Sequence, residues 1–191
     1  RNIICQALGV DASVFPFVAE LIEVKPDEAP WRGAIERALG GLRRTMLVPA
    51  ELESAVSNAA NANHLRALLE WKIVGETREL PQFRERSILR KLNWKPDSAS
   101  RDWLKGFLAR QCDYVCVDQA DDLKTMAPAV TIQGLMLRGK DYYRKDDRRA
   151  ITDDSDWVLG FSNTGRIASL QQRLLDMAGR LESLRNDADE A

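Results

Sequence analysis

The sequence has little of what usually announces a function. One histidine and three cysteines, Cys5, Cys112 and Cys116, stand in 191 residues. They are too few and too scattered for a disulfide framework or a multi-ligand metal site. So low a cysteine content suits a reducing compartment, and the expected location is the cytoplasm. No apolar run approaches the roughly 20 residues of a membrane-spanning helix and no signal peptide opens the chain, so no membrane partner is expected. With 11 glycines, 7 prolines, 45% hydrophobic and 30% charged residues, collagen-like, low-complexity and wholly disordered readings are excluded. An excess of one charge is lacking too. Lys and Arg number 28 against 29 Asp and Glu, a net charge of −1, so a nucleic-acid site has to be a local patch.

What is present is periodicity. Ile167, Leu170, Leu174, Met177, Leu181, Leu184 and Ala188 recur at alternating intervals of three and four. This is a heptad seam of about three heptads, flanked by Gln171, Arg173, Arg180 and Arg185. The alternative is an amphipathic terminal helix packed on its own domain, and the polar tail 186–191 is expected to fray. At the other end, residues 2–8 read as the last turns of a helix closed by Gly9, as expected of a piece cut from a longer protein. Between these ends the pattern predicts strands over 17–24, 45–48, 68–74, 114–117 and 129–133, the last broken at Gly134 and continued through 135–138. Helices are predicted over 31–39, 51–61, 87–92, 100–112 and 118–126, with a loop over 75–86. The order implies an α+β (α/β-like) domain whose two similar halves meet near residues 75–98.

Catalytic signals are weak. His64, directly after a predicted helix, reads as a cap or surface residue with no nucleophile beside it. Gly160 and Gly165 have the spacing of a phosphate loop but lack its Lys and its Ser or Thr, and Asn163-Thr164 reads as a helix-capping turn. Asp153, Asp154 and Asp156 could hold a divalent cation, although a solvated loop fits turn residues better. Cys112 and Cys116 border an apolar strand without a second pair, which makes them core.

The local charge map says more. Residues 138–149 hold six cations, Arg138, Lys140, Arg144, Lys145, Arg148 and Arg149, against Asp141, Asp146 and Asp147, with Tyr142 and Tyr143 between them. A net charge of +3 beside tyrosines suits phosphate contact and base stacking, and a salt-bridged surface hairpin fits the same composition. Arg43-Arg44 is a second, smaller basic site.

Together these pieces resemble the hinge domain of SMC-type chromosome-organising ATPases. Ala34-Ile35-Glu36-Arg37-Ala38-Leu39-Gly40-Gly41 is similar to that family's Ala-Ile-Glu-x-Ala-Leu-Gly-Gly stretch, residues 18–24 to the strand before it, and Val130-Thr131-Ile132-Gln133-Gly134 to a Val-Thr-Leu-Asp-Gly strand and turn in the distal half. The family's glycine-rich close after the second strand is replaced here by residues 138–148. That segment, with Glu20-Leu21-Ile22-Glu23-Val24, residues 31–37, Lys95-Pro96-Asp97-Ser98, residues 113–118 and Val158-Leu159-Gly160-Phe161, resembles the JetC (MksB-like) subunits of Wadjet plasmid-defence systems.

The resemblance implies a non-enzymatic hinge over residues 1–165, with halves of about 1–80 and 81–165, mixed sheets flanked by helices, and a coiled-coil arm from 166 to 191. It implies a two-fold homodimer with Gly40, Gly41, Gly134 and Gly139 at the interface. It also implies a DNA-embracing ring with auxiliary DNA contact, for which the charge map offers Arg43, Arg44, Arg138, Lys140, Arg144, Lys145, Arg148 and Arg149. No cofactor belongs to this part of the protein; ATP and Mg belong to absent head domains, which also bind kleisin and accessory subunits. Association with nucleoid or plasmid DNA, and defence by loop extrusion, follow from the Wadjet branch. Three rivals stand beside it: a stand-alone nucleic-acid-binding module using residues 138–149, a metal enzyme using Asp153 to Asp156, and a repair-type ATPase with a zinc hook. The last needs a Cys-x-x-Cys, which the sequence lacks.

Overall fold

A computed structural model describes residues 1–77, 79–162 and 164–189. In chain order the elements are α1 (Asn2–Leu8), β1 (Ile22–Val24), α2 (Arg32–Leu39), β2 (Met46–Pro49), α3 (Glu53–Ala62), β3 (Trp71–Val74), β4 (Leu92–Trp94), α4 (Arg101–Cys112), β5 (Val115–Val117), α5 (Leu123–Met126), β6 (Ala129–Thr131), β7 (Met136–Arg138), β8 (Tyr142–Arg144) and α6 (Thr164–Asp189). The chain divides into two units, Arg1–Phe161 and Ser162–Ala191.

Two stretches seventy residues apart, 18–27 and 88–97, both end in Lys-Pro-Asp and fold alike. In each, a 3-10 turn (Val18–Leu21, Ile88–Lys91) runs into a three-residue strand, β1 or β4. These strands pair antiparallel about Glu23↔Asn93, which are each other's counterparts. The flanking bonds repeat the symmetry: the Lys25 amide donates to the Lys91 carbonyl and the Lys95 amide to the Leu21 carbonyl, both at 2.9 Å. The relation continues outward. β2 pairs parallel with β3 and β5 with β6, while single bridges join Phe17 to Met46 and Ser87 to Val115. The globular unit is therefore two copies of one motif about a local two-fold. The second copy is extended by β7 and β8 into a sheet of order β5-β6-β7-β8.

Several sequence expectations are corrected. Residues 17–21 do not extend the first strand, because the Glu20 carboxylate accepts the Phe17 amide at 3.0 Å and also pairs with Arg1, closing a turn that competes with a ladder. Strand β3 starts at Trp71 rather than at residue 68, and Leu68 is almost fully exposed. Residues 87–92 make only a 3-10 turn, nucleated by the Ser87 hydroxyl accepting from the Leu89 amide. Gly134 does not interrupt one strand. With φ of +81° it reverses the chain, so that β7 returns antiparallel to β6.

The core follows the duplication. A central cluster brings Val18, Leu21 and Ile22 against Ile88, Leu89 and Leu92 across the local two-fold. One satellite lies in each half, Phe15, Met46, Val48 and Val56 in the first and Val117, Leu123, Ala129 and Leu137 in the second. Burying each large aliphatic side chain contributes roughly 1.5–3 kcal/mol. Cys112 and Cys116 belong to this core, where burial pushes both thiols up to about 12 and leaves them unreactive at neutral pH.

In the second unit, Ile167, Leu174, Met177 and Leu181 of the heptad seam are exposed along α6. The side chains of Leu170, Arg173, Leu184 and residues 186–189 lie outside the described residues, as do residues 190 and 191, and α6 itself runs to Asp189. No described helix is long and apolar enough to cross a membrane.

Residues 145–161, after β8, form a strap across α2. At Gly33 the two meet closely: a Cβ built there would lie 2.0 Å from the Ile151 carbonyl oxygen. Helix propensity alone favours Gly33→Ala by about 1 kcal/mol. The expected result is the reverse, a loss of about 1–3 kcal/mol from overpacking, read as a lower urea midpoint. A stabilised variant would show that the strap is not fixed on the helix.

Candidate functional site

Helix α2 turns Ala34, Ile35 and Leu39 into the core, and it buries Glu36 with them at 1% exposure. A buried carboxylate needs partners, and this one has three. Its Oε2 accepts Arg43 Nη1 at 2.7 Å, and its Oε1 accepts the amides of Val158 and Leu159 at 2.9 and 3.0 Å. Arg43 can reach back because Gly40, at φ +52°, ends the helix and a 3-10 turn over Gly40–Arg44 folds the chain beneath it. Arg43 Nε donates to the Gly40 carbonyl at 3.0 Å and Nη1 to the Asp156 carbonyl at 2.9 Å. The Asp156 carboxylate bridges Arg43 and Arg44, one oxygen to each.

The strap completes the far wall. Arg37 donates to the Arg149 carbonyl at 2.5 Å and pairs with Asp147 at 3.3 Å, and Arg32 reaches the Leu159 carbonyl while covering the Trp157 ring. Between α2 and the strap lies a cleft of about 540 Å³. Its cations are all arginines: Arg37, Arg43, Arg44, Arg144, Arg148 and Arg149. Its carboxylates are Glu36, Asp146, Asp153 and Asp156.

The two basic sites read separately from the sequence thus share one cleft, through Arg43 and Arg44 on one side and Arg144, Arg148 and Arg149 on the other. The salt-bridged reading of residues 138–149 is met by three pairs: Arg148 pairs with Asp146 at 2.7 Å, Lys145 pairs with Asp147, and Arg144 lies 3.9 Å from Asp146. Arg138 is elsewhere, lining a second hollow of about 360 Å³ with Arg84 and Arg110, and Lys140 is exposed in the β7–β8 turn. Of the four glycines, Gly40 and the exposed Gly41 both border the cleft, Gly139 is exposed at the β7–β8 turn, and Gly134 is buried against Ile151 and Arg37 of its own chain.

Sequence reasoning missed Glu36, Arg37 and Trp157 as site residues, and considered Asp156 only as a possible cation ligand. The signal for Glu36 was a carboxylate inside an apolar helix face, but its strap partners lie 122 and 123 residues away. The acidic cluster is explained differently from a cation site. Asp156 is committed to two guanidinium groups, and Asp153 accepts the Ser155 amide at 2.9 Å. His64 is exposed just beyond α3. The reading of Asn163-Thr164 as a capping turn falls on Asn163, outside the described residues.

Burial alone would raise the Asp156 carboxyl, but Arg43 and Arg44 outweigh it and hold its pKa below the ordinary 3.8. The Arg148 hydrogen bond lowers Asp146 and the Lys145 hydrogen bond lowers Asp147. All three stay ionised at neutral pH.

Glu36→Ala should cost about 3–5 kcal/mol in urea unfolding, because it strands Arg43 in the interior and frees two strap amides. Glu36→Gln, which keeps an acceptor, should lose less. Asp156 is half-exposed, so its pair should contribute at most about 1 kcal/mol. Because its folded pKa is depressed, that contribution is present above the unfolded value near 3.8 and is lost as pH falls through the lower folded value. Melting temperatures of the native chain and Asp156→Asn should therefore differ at pH 5 to 7 and converge in stronger acid.

No family model and no curated protein matches the chain. Among solved structures it is similar to the Pyrococcus furiosus Smc hinge domain with an extended coiled coil, at a TM-score of 0.56 and 19% identity over 97% of this chain and 66% of that one. It is similar to the Geobacillus stearothermophilus SMC hinge domain, solved as an asymmetric dimer, at 0.54 and 16% over 96% and 77%. It also matches the folded elbow of cohesin at 0.61 and 13% over 97% of this chain and 27% of that one. The fold built from two copies of one motif about β1 and β4 is that of the SMC hinge domains.

Proposed function

We propose that this chain is the dimerisation hinge of an SMC-type assembly, joining two coiled-coil arms. The observation that carries the reading is the fold itself, an internally two-fold body similar to SMC hinges over 97% and 96% of the chain. The two halves also end on different strand edges. β3 is the outer strand of the first small sheet and β8 of the four-stranded one. An unpaired edge is a ready template for another strand. In a two-fold dimer, β8 of one copy lies along β3 of the other and the contact is made twice. Gly139 at the β8 hairpin turn and Gly40 with Gly41 beyond α2 allow close backbone approach, whereas Gly134 shapes the turn within its own chain.

On this reading the exposed heptad positions of α6 belong to an arm whose partner strand is an entering helix. The head domains, with their ATP and Mg, lie elsewhere in the protein together with the kleisin and accessory contacts, and this part is not catalytic. The arginine cleft supports a contact with DNA held by the ring. The resemblance of segment 138–148 and the motifs that accompany it to JetC-type subunits supports the reading of a Wadjet-type plasmid-defence assembly acting by loop extrusion on nucleoid or plasmid DNA.

Light scattering and sedimentation should show a dimer at micromolar concentration. Tyr142→Glu with Tyr143→Glu, two exposed positions on the β8 edge, should weaken dimerisation by about tenfold or more and leave the melting of the fold nearly unchanged. A monomer at high micromolar concentration for the native chain would overturn the hinge reading.

A further inference from the structure

We infer that the arginine cleft is a phosphate site, and that Asp156 is the internal anion a phosphate must displace from Arg43 and Arg44. It rests on the DNA contact proposed above and not on the dimer. Every cation lining the cleft is an arginine, the side chain whose planar fork suits two-point contact with phosphate oxygens. A volume of about 540 Å³ falls among ligand-sized clefts and admits a phosphate with an attached sugar or base. The site already binds an anion, since the Asp156 carboxylate sits between two guanidinium groups as a phosphate would.

Two of the anions that hold the strap, Glu36 and Asp156, differ in how readily they can be exchanged. Glu36 is 1% exposed and fixes the amides of Val158 and Leu159 from the core side. Asp156 is 46% exposed and holds its arginines from the solvent side. A phosphate can therefore replace Asp156 while Glu36 keeps residues 158 and 159 in place, and exchange requires no unfolding. Arg149, whose guanidinium donates to the Ser155 hydroxyl, and Arg144, 3.9 Å from Asp146, supply further donors from the opposite wall. The shared chemistry is a phosphate group, carried either by a nucleic-acid backbone or by a free nucleotide.

The test uses the whole chain and two probes, a fluorescent duplex DNA followed by anisotropy and ATP followed by calorimetry, each at two salt concentrations. Asp156→Asn removes the competing charge and should tighten binding about three- to tenfold. Arg44→Ala with Arg149→Ala should weaken it at least tenfold and flatten the salt dependence. Response to DNA alone identifies a backbone phosphate, and a saturable response to ATP identifies a mobile nucleotide; either supports the site. An Asp156→Asn variant that binds no tighter, or arginine variants that bind as the native chain does, overturns it. If Lys140→Glu with Arg138→Glu then abolishes DNA binding while the cleft variants do not, the DNA contact stands and the cleft is not its seat. If no variant and no native chain binds DNA, the DNA contact falls as well, and the dimer is judged separately by its mass.

Discussion

A single carboxylate inside the core constrains much of what surrounds it. Taking an ionised Glu from water costs several kcal/mol unless charge and hydrogen bonds replace its hydration, and Glu36 finds replacements from both directions along the chain. Arg43 must fold back under α2 to meet it, which requires Gly40 to leave the helix in a conformation that L side chains rarely adopt. Val158 and Leu159 must bring their amides to its other oxygen, which draws the strap over α2 and leaves no room for a Cβ at Gly33. The cleft forms in the space that remains, and its arginines are those the strap and the glycine turn carry there. The Ala-Ile-Glu-x-Ala-Leu-Gly-Gly stretch thus has a physical rationale at Glu36 and at Gly40.

The second constraint is the local two-fold. β1 and β4 are three residues each, too short to be stable as a hairpin, and they persist because the central cluster packs across the same axis. Symmetry stops at the periphery. The first half carries a ten-residue α3 where the second has a four-residue α5, and only the second continues into β7 and β8. A body symmetric at its centre but different at its two outer strands suits pairing of unlike edges between two copies, a closed arrangement that leaves neither edge open.

Much of this was legible in the residues. The spacing of Trp31, Ala34, Ile35, Ala38 and Leu39 placed α2 within a residue, and the run of β-formers from Tyr114 placed β5. The two-half organisation could have been sharpened from sequence by aligning Lys25-Pro26-Asp27 with Lys95-Pro96-Asp97, a repeat that hydrophobic periodicity does not weigh. The 3-10 turns at Val18–Leu21 and Ile88–Lys91 were not legible as such, because side-chain capping by Glu20 and Ser87 competes locally with strand and helix patterns. The cleft was half legible: both of its basic walls were named. Their meeting depends on contacts such as Glu36 to Val158 and Arg43 to Asp156, at separations of 122 and 113 residues, which no local pattern reports.

A net charge of −1 does not by itself decide against the proposed contact with a polyanion. Charges farther apart than a Debye length, about 8 Å in physiological salt, are largely screened, so a phosphate responds to the side chains around it rather than to the whole-chain sum. Within the cleft those side chains are six arginines and four carboxylates. The carboxylates do not merely subtract charge. They hold guanidinium groups in fixed orientations before any ligand arrives, which reduces the ordering cost of binding. The same ion pairs that make residues 138–149 resemble an inert surface hairpin therefore keep its arginines aimed into a common space. Pairing and binding are compatible wherever the internal anion is exposed enough to exchange, a condition met by Asp156 and not by Glu36.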